Sequence, residues 1–329
     1  MPAESSAPGN ARAERRTIPP AMIEDARRHV YEAAVRTPLV RLNYAEAPAE
    51  IYLKLENLQT IGSFKIRGAY NQVRLLPPEA KARGVWTVSA GNAAQGVALA
   101  AKKAGVRASV LVMDTAPATK LEAIRRLGAE IVKAPFDECW KALGERQHPA
   151  MTGTMVHPFE DDEFIAGNAT CGLEILEDLP GVDAVVAAFG GGGLTCGIAT
   201  AMQAKKPGVK VYGAEPETAS PLAYSFSKGS AQSFPNWKSS FVDGSGGKSV
   251  FPRMWALAHH LLAGSVVCTL DEIRAAMKIV AERNHVIAEG AGACAVAAAL
   301  SGKCGSGRVV AVVSGGNIDL SKFHELLST

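Results

Sequence analysis

Four consecutive glycines, 190–193, stand between a run of apolar, strand-forming residues and a helical pattern. Without Cβ atoms the backbone can turn tightly and direct successive N–H groups into one concavity, and the positive end of the next helix attracts an anion. The segment lacks the GxGxxG spacing of a dinucleotide site and the Lys-Ser/Thr of a P-loop. It predicts a cradle for some other phosphate, with a flexible strand-to-helix turn as the alternative.

Lys65 follows an aromatic residue, Phe64, in an otherwise neutral turn of sequence GSFKIRGA. A lysine in a turn is usually a solvated surface group. Partial burial against an aromatic ring would instead lower the pKa of the amine and make it a nucleophile able to form a Schiff base. Arg67, two residues later, is interpreted as structural.

Two further segments contain small and polar residues where a strand meets a helix or turn. In the first segment, which begins at Ser89, exposed N–H groups at a helix start predict a binding site for a carboxylate. There, Asn92 either reaches an aromatic hydroxyl with its amide or caps the helix. In the second, Ser314-Gly315-Gly316-Asn317, Ser314 either offers its hydroxyl to a ring nitrogen or occupies an ordinary turn. The small residues of the first segment are Ser89, Ala90, Gly91 and Ala93.

The elements around these segments alternate between β-branched runs and helical stretches, which predicts βαβ units and buried parallel strands. A capping box at Thr269 and Glu272 predicts a helix start, and 225–248 lacks clear periodicity. The class is therefore α/β, where ligands bind at the carboxyl ends of strands. The strands are expected at 85–89, 109–113, 131–133, 183–189, 210–215 and 308–314, and helices at 93–104, 120–127 and 198–205.

Composition excludes several classes of protein. The 329 residues carry a net charge of +3 without a basic stripe, which disfavours nucleic-acid binding. The apolar runs are far shorter than the roughly 20 residues that span a bilayer. The six cysteines are spread without metal-ligand spacing and are expected to be reduced core thiols. Residues 1–16 have the composition of a disordered tail rather than a secretory signal, so a cytoplasmic location is expected.

In chain order, the lysine after GSF, the SxGN segment, the glycine run and the SGGN segment resemble the fold-type II pyridoxal-phosphate enzymes. The likeness is to the branch of threonine and serine dehydratases and serine racemases, and it covers 37–319. It implies a tryptophan synthase β-like fold: two parallel-sheet α/β/α domains with the active site in the cleft between them. The implied large domain is 17–68 plus 154–329, and the small domain is 69–153.

The resemblance also implies a role for each motif. Lys65 would bind pyridoxal phosphate as a Schiff base with Phe64 against one face of the ring, and would later remove the substrate's α-proton. Asn92 would bond the ring hydroxyl, and Ser314 would face the pyridine nitrogen, making the cofactor a moderate electron sink that favours loss of a β-leaving group. The donors to the cofactor phosphate would be Gly190, Gly191, Gly192, Gly193 and Leu194. The surroundings of the substrate carboxylate would be Ser89, Ala90, Gly91 and Ala93.

The chain departs from its relatives at two of these positions and at a metal site. Racemases carry an acid/base serine at the position of Ala90, so racemisation is expected to be at most a side reaction. Relatives that bind a divalent cation use a glutamate, a carbonyl and an aspartate. Here Glu215 and Ala219 match, but Pro221 offers no side-chain oxygen, so no metal is expected. Ala93 stands where threonine dehydratases usually have histidine, which vacates space beside the substrate.

The resulting hypothesis is a pyridoxal-phosphate-dependent dehydratase, an ammonia-lyase that converts a 3-hydroxy amino acid of the threonine/serine type to a 2-oxo acid and ammonia. The space at Ala93 suggests a bulky β-substituent such as the phenyl ring of 3-phenylserine, unless Phe136 or Phe159 fills the gap. The alternatives are a racemase or β-replacement enzyme on the same scaffold, or a protein that binds the cofactor without turnover. The expected partner is a small-molecule substrate, and relatives are commonly homodimers or homotetramers.

Overall fold

The computed structural model of the protein describes residues 15–328. Strands and helices alternate along most of this length. The strands are β1 Leu39–Arg41, β2 Glu50–Lys54, β3 Val85–Val88, β4 Ala108–Met113, β5 Glu130–Ala134, β6 Thr154–Met155, β7 Ala184–Ala188, β8 Lys210–Pro216, β9 Gly264–Cys268 and β10 Arg308–Val312. The helices are α1 Pro20–His29, α2 Lys65–Leu75, α3 Pro78–Arg83, α4 Asn92–Ala104, α5 Ala118–Arg126, α6 Phe136–Glu145, α7 Asp162–Asp178, α8 Gly193–Lys205, α9 Pro221–Lys228, α10 Pro252–Leu261, α11 Leu270–Asn284, α12 Gly290–Leu300 and α13 Leu320–Ser328.

The strands form two sheets. The six-stranded sheet has the order β1-β2-β10-β7-β8-β9, and the four-stranded sheet has the order β5-β4-β3-β6. Every pairing is parallel except that of β1 with β2, which is antiparallel. The predicted α/β class with parallel sheets is therefore confirmed, with one antiparallel strand added at an edge.

Both faces of the large sheet are covered by helices, as a parallel sheet requires. All five residues of β7 are buried. Val185 and Ala187 belong to one hydrophobic cluster, whereas Ala184 and Val186 belong to a cluster on the opposite face. This alternation explains why the strand is a continuous apolar run in the sequence. Burial on both sides makes the strand ends rigid points from which loops can present a site.

The six strands expected from the sequence are all present, with ends shifted by at most two residues. The capping box is also confirmed: Thr269 Oγ1 accepts from Glu272 N at 3.1 Å, and Glu272 Oε2 accepts from Thr269 N at 2.7 Å. The stretch expected to be aperiodic begins inside α9, and beyond it contains a 3-10 turn at Asp243–Ser245. Four strands were missed, namely β1, β2, β6 and β9.

The expected domain boundaries can be compared with the positions of the two sheets, and the division into two domains stays a prediction. The boundary at residue 68 falls within α2, and β6 at Thr154–Met155 pairs with the small sheet. Of the expected tail at 1–16, residues 1–14 lie outside the described part of the chain. Arg16 is not part of a disordered tail, because its backbone N–H donates to Ala256 O at 3.0 Å and its guanidinium pairs with Asp162. Between residues 15 and 328, no helix is both long and apolar enough to cross a bilayer.

Candidate active site

The segments singled out in the sequence converge on one cavity of about 580 Å³. It lies where the carboxyl ends of β3, β7 and β10 meet, with α5 and α6 on one side and residues 239–247 on another. Its lining includes every residue that was predicted to bind the cofactor or the substrate: Phe64, Lys65, Ser89, Ala90, Gly91, Asn92, Ala93, Gly190, Gly191, Gly192, Gly193, Leu194 and Ser314.

Lys65 is the first residue of α2, and its side chain is half-buried in the wall of the cavity. Its Nζ donates to Pro158 O at 2.6 Å and lies 5.1 Å from the Phe64 ring centroid and 5.5 Å from that of Phe164. Burial lowers the pKa of Lys65 to about 8, although the nearby Glu289 acts in the opposite direction. Because the neutral amine is the nucleophilic form, this environment prepares Lys65 to attack an aldehyde near neutral pH.

A pH profile of cofactor binding tests this environment. With a pKa of about 8, roughly one Lys65 in ten carries a neutral amine at pH 7, against roughly one in three thousand for an ordinary lysine. The rate at which pyridoxal phosphate binds the cofactor-free protein should rise with pH and level off above about 8. Stopped-flow absorbance between pH 6 and 9.5 measures it, with Nα-acetyl-lysine as the control. A rate that climbs tenfold per pH unit throughout would contradict the desolvated amine.

The glycine run must consist of glycines because neighbouring atoms leave no space for side chains there. A Cβ at Gly190 would lie 2.5 Å from Gly244 O, one at Gly193 would lie 2.7 Å from Phe159 O, and one at Gly191 would overlap the Phe159 ring. Gly192 has φ of +90°, which favours glycine. The run leads directly into α8, so backbone N–H groups and the positive helix end face the cavity together. The residues present therefore fit the phosphate of pyridoxal phosphate.

Asn92 is the first residue of α4, and its side chain does not cap the helix. Its Nδ2 donates to Glu289 Oε1 at 2.7 Å, and its Oδ1 accepts from Asn317 Nδ2 at 2.7 Å. The capping alternative is therefore wrong, because the amide is used for contacts across the cleft. Ser314, only 3 % exposed, is tied to the lysine segment through its carbonyl, which accepts from Phe64 N at 3.0 Å.

Glu289 is a cavity residue to which the sequence assigned no role. A single glutamate before a helical glycine pattern gives no local sign of chemistry. The residue is 6 % exposed. Burial, together with the charge of Asp243, raises the pKa of Glu289 to about 8. The carboxyl is therefore largely protonated at pH 7.

Behind Lys65 lies a fully buried ion network, which confirms that Arg67 is structural. Arg67 Nε pairs with Glu56 at 2.7 Å, and Arg67 Nη1 pairs with Glu174 at 2.7 Å. Lys54 Nζ joins Glu174 at 2.7 Å. These four side chains are at most 1 % exposed and tie β2, α2 and α7 together. The start of α2, and with it Lys65, is thereby held in place.

Of the residues that match the relatives' cation site, Glu215 lies near the end of β8 and Ala219 lies in the turn between β8 and α9. Glu215 and Ala219 are fully buried. Both Glu215 oxygens accept from protein donors: Leu222 N at 2.7 Å on one, and Ala223 N at 2.9 Å with Ser265 Oγ at 2.6 Å on the other. Burial raises the pKa of Glu215 to about 7. The expectation that no cation binds here stays a prediction.

The side of the cavity that is lined by β4 and α6 is largely apolar. Phe136 and Trp140 on α6 stack with ring centroids 6.4 Å apart and an interplanar angle of 6°. Phe159, by contrast, packs on the glycine run. We call the set of apolar lining residues on this side the aromatic wall. Its members are Leu111, Met113, Phe136, Cys139, Trp140 and Leu143. The six cysteines, including Cys139, are all free and buried, as expected.

The fold and this cavity define a cofactor-dependent α/β enzyme, and comparison with known proteins identifies the family. The sequence model of the pyridoxal-phosphate-dependent enzymes matches residues 30–315, and the chain belongs to that family. It is 40% identical over 312 residues to L-threonine ammonia-lyase of Thermotoga maritima, covering 93% of this chain and 77% of the relative. It is 38% identical over 309 residues to the catabolic L-threonine dehydratase of Staphylococcus aureus, covering 91% and 89%.

Solved structures agree with this assignment. Maize serine racemase superposes with a TM-score of 0.86 at 30% identity, covering 96% of this chain and 97% of that one. The processed threonine deaminase isoform 2 of Solanum lycopersicum superposes with a TM-score of 0.83 at 32% identity, covering 98% of each. The fold-type II assignment and the dependence on pyridoxal phosphate are thus confirmed, and the protein is an enzyme.

Proposed function

We propose that the protein is an ammonia-lyase that dehydrates and deaminates a 3-hydroxy amino acid, and that its substrate carries a β-substituent larger than the methyl of threonine. The observation that carries the reaction class is the meeting of a desolvated Lys65 and the glycine cradle in one cavity. The threonine ammonia-lyase and threonine dehydratase names of relatives near 40% identity support it.

Each group of residues in the cavity has a separate role in the proposed reaction. The N–H groups of the glycine run and of Leu194 would bind the cofactor phosphate, Asn92 would bond the ring hydroxyl and Ser314 would face the ring nitrogen. Pyridoxal phosphate held there would supply an electron sink for the substrate's α-carbon. The Lys65 amine, neutral in an appreciable fraction near pH 7, takes the α-proton. Its Pro158 and Phe64 contacts keep it desolvated and aimed into the cavity.

The substrate carboxylate is bound by the segment between β3 and α4. Here the chain turns at Ser89, whose Oγ accepts from Gly91 N at 3.1 Å, and enters α4 at Asn92. The small side chains leave backbone N–H groups open to the cavity. The α-proton and the β-hydroxyl leave the substrate together as one molecule of water, and an enamine is released. The enamine tautomerises to an imine, which water hydrolyses to a 2-oxo acid and ammonia.

Ala90 lines the cavity, and by the family resemblance it stands at the position of the acid/base serine of racemases. A methyl group has no proton to give to the opposite face of the substrate, so elimination is favoured over racemisation. The aromatic wall and the buried methyl of Ala93, which is 5% exposed, favour a bulky apolar β-substituent such as phenyl. Burying a phenyl ring there would contribute about 2 kcal/mol of differential binding over a methyl group.

A product assay tests the proposed function. The holoenzyme is incubated with L-serine, L-threonine, 3-hydroxyaspartate and L-threo-3-phenylserine, and ammonia, 2-oxo acid and D-amino acid are quantified. We expect equal amounts of ammonia and 2-oxo acid, with the highest kcat/KM for 3-phenylserine. A strong preference for threonine would refute the bulky substituent alone. Racemised substrate without ammonia would refute the lyase reaction, and no turnover of any kind would favour a cofactor-binding protein.

The substitution Ala93→His tests whether position 93 determines the preferred β-substituent, independently of the type of reaction. An imidazole at this position would fill the space beside the substrate seat and should lower the ratio of kcat/KM for 3-phenylserine to that for threonine by about tenfold or more. The matched control is Ala104→His at the end of α4, outside the cavity lining. An unchanged ratio in Ala93→His would show that this position does not determine the substrate.

A further inference from the structure

Asn92 is the centre of a three-residue hydrogen-bond chain that crosses the cleft. Asn317 Nδ2 donates to Asn92 Oδ1, and Asn92 Nδ2 donates to Glu289 Oε1, both at 2.7 Å. The outer members are 225 and 197 residues away from Asn92 in sequence. One follows β10 and the other precedes α12, whereas Asn92 begins α4 beside the small sheet.

The two neighbours determine which way the Asn92 amide points. A rotation of the amide by 180° would bring its N–H₂ against the N–H₂ of Asn317, so two donors would face each other. Asn317 is itself held in place, because Nδ2 also donates to Ile61 O at 2.8 Å. Gly62, where a Cβ would lie 2.5 Å from Asn317 Oδ1, allows this close approach. The Asn92 amide is therefore fixed with one N–H not used by Glu289.

Glu289 is fixed from its own side as well. Its backbone N–H donates to Gly315 O at 3.1 Å, and a Cβ at Gly315 would overlap the carboxyl. The charged groups that face it are Lys65 on α2, Lys120 on α5 and Asp243 in its 3-10 turn. Lys120 and Asp243 form an ion pair with each other at 2.5 Å. Glu289 is thus a buried acceptor of defined position, not a solvated charge.

We propose that Glu289 and Asn317 are positioning residues of the cofactor site. Together they lock the Asn92 amide so that its remaining N–H is directed to the ring hydroxyl of pyridoxal phosphate. This inference rests on the role proposed above for Asn92, but it does not depend on which amino acid is the substrate. Without either neighbour the Asn92 amide can rotate. Its ordering on cofactor binding then costs conformational entropy, which lowers the affinity for the cofactor.

The test measures cofactor binding rather than turnover. Full-length protein is stripped of its cofactor, and the Kd for pyridoxal phosphate and the absorption maximum of the bound cofactor are measured at pH 7. We expect Asn92→Ala and Glu289→Ala to weaken binding about tenfold and to shift the maximum, a change of the order that one net hydrogen bond contributes. Glu289→Gln keeps the acceptor oxygen and should bind within about twofold of the parent. The matched control is Glu282→Gln, an exposed glutamate on α11.

The possible results distinguish the proposed role of Asn92 from the proposed roles of Glu289 and Asn317. If Asn92→Ala binds the cofactor like the parent, the role of Asn92 fails and the positioning inference fails with it. If Asn92→Ala is weakened but Glu289→Ala is not, only the positioning inference is overturned. A Glu289→Gln variant as weak as Glu289→Ala would also overturn it, because the acceptor is retained. If Glu289→Ala does not fold, Asn317→Ala removes the other neighbour and carries the same expectation.

Discussion

Replacement of Lys65 by alanine should lower kcat/KM for ammonia release by at least about 1000-fold, because no other group in the proposed mechanism takes the α-proton. The fold should survive. The lost ammonium contacts are one hydrogen bond to Pro158 O and the approach to the Phe64 and Phe164 rings, and the amine is already costly to bury, as its lowered pKa indicates. Ammonia release and the far-ultraviolet circular dichroism of the variant measure the two effects.

Two controls make this result specific to chemistry at Lys65. Lys102→Ala removes an exposed lysine on α4 and should retain full activity. An external small amine such as methylamine should restore part of the activity of Lys65→Ala, because it can enter the space left by the side chain and accept the proton. A Lys65→Ala enzyme with more than about a tenth of parental activity would contradict the assignment of the base.

Arg67→Met should lower the free energy of unfolding by about 3–5 kcal/mol, the range found when one partner of a buried ion pair is removed. Two carboxylates, Glu56 and Glu174, would remain buried with Lys54 as the single cation of the network. The matched control is Arg36→Met. Arg36 also pairs with α7 carboxylates, those of Glu177 and Asp178, but it is 44% exposed. An exposed pair contributes at most about 1 kcal/mol.

Urea denaturation of the holoenzymes measures both variants, and acidification adds a second readout. Ion pairing with Arg67 and Lys54 outweighs burial and lowers the pKa of Glu174 below its ordinary value of 4.5. A group with a lowered pKa stabilises the fold above its unfolded-state pKa and loses that contribution as pH falls through its folded-state pKa. The difference between parent and Arg67→Met should therefore shrink below about pH 4.5. Equal destabilisation by Arg67→Met and Arg36→Met would refute the network's importance.

Local patterns were enough to predict the strands with a long run of buried apolar residues. β7 and β10 are continuous apolar runs because helices cover both faces of the sheet, and that signal is visible in the sequence. The edge strand β1 has only three residues, half-buried or exposed, and β9 begins with glycine and serine. Their pairing depends on the neighbouring strand rather than on their own pattern, so they were missed.

The parts of the candidate site likewise differ in whether the local sequence could predict them. The glycine run could be predicted because the close approach of Phe159 and Gly244 excludes side chains there. The requirement for glycine falls on consecutive residues, so it is visible in the local sequence. The Asn92–Glu289 contact joins residues 197 apart, and no local pattern encodes it. The aromatic wall was also not foreseen as a unit, because Phe136 and Trp140 follow ordinary helical spacing on α6. Only the folded chain turns that helix face toward the cavity.

The most direct test of the central claim is to reduce the purified holoenzyme with borohydride and map the modified peptide by mass spectrometry. The account predicts a single pyridoxyl phosphate group, attached to Nζ of Lys65, and the loss of both the visible absorbance and ammonia release. A cofactor fixed to another lysine, or no adduct on any lysine, would contradict the assignment of this cavity as the active site.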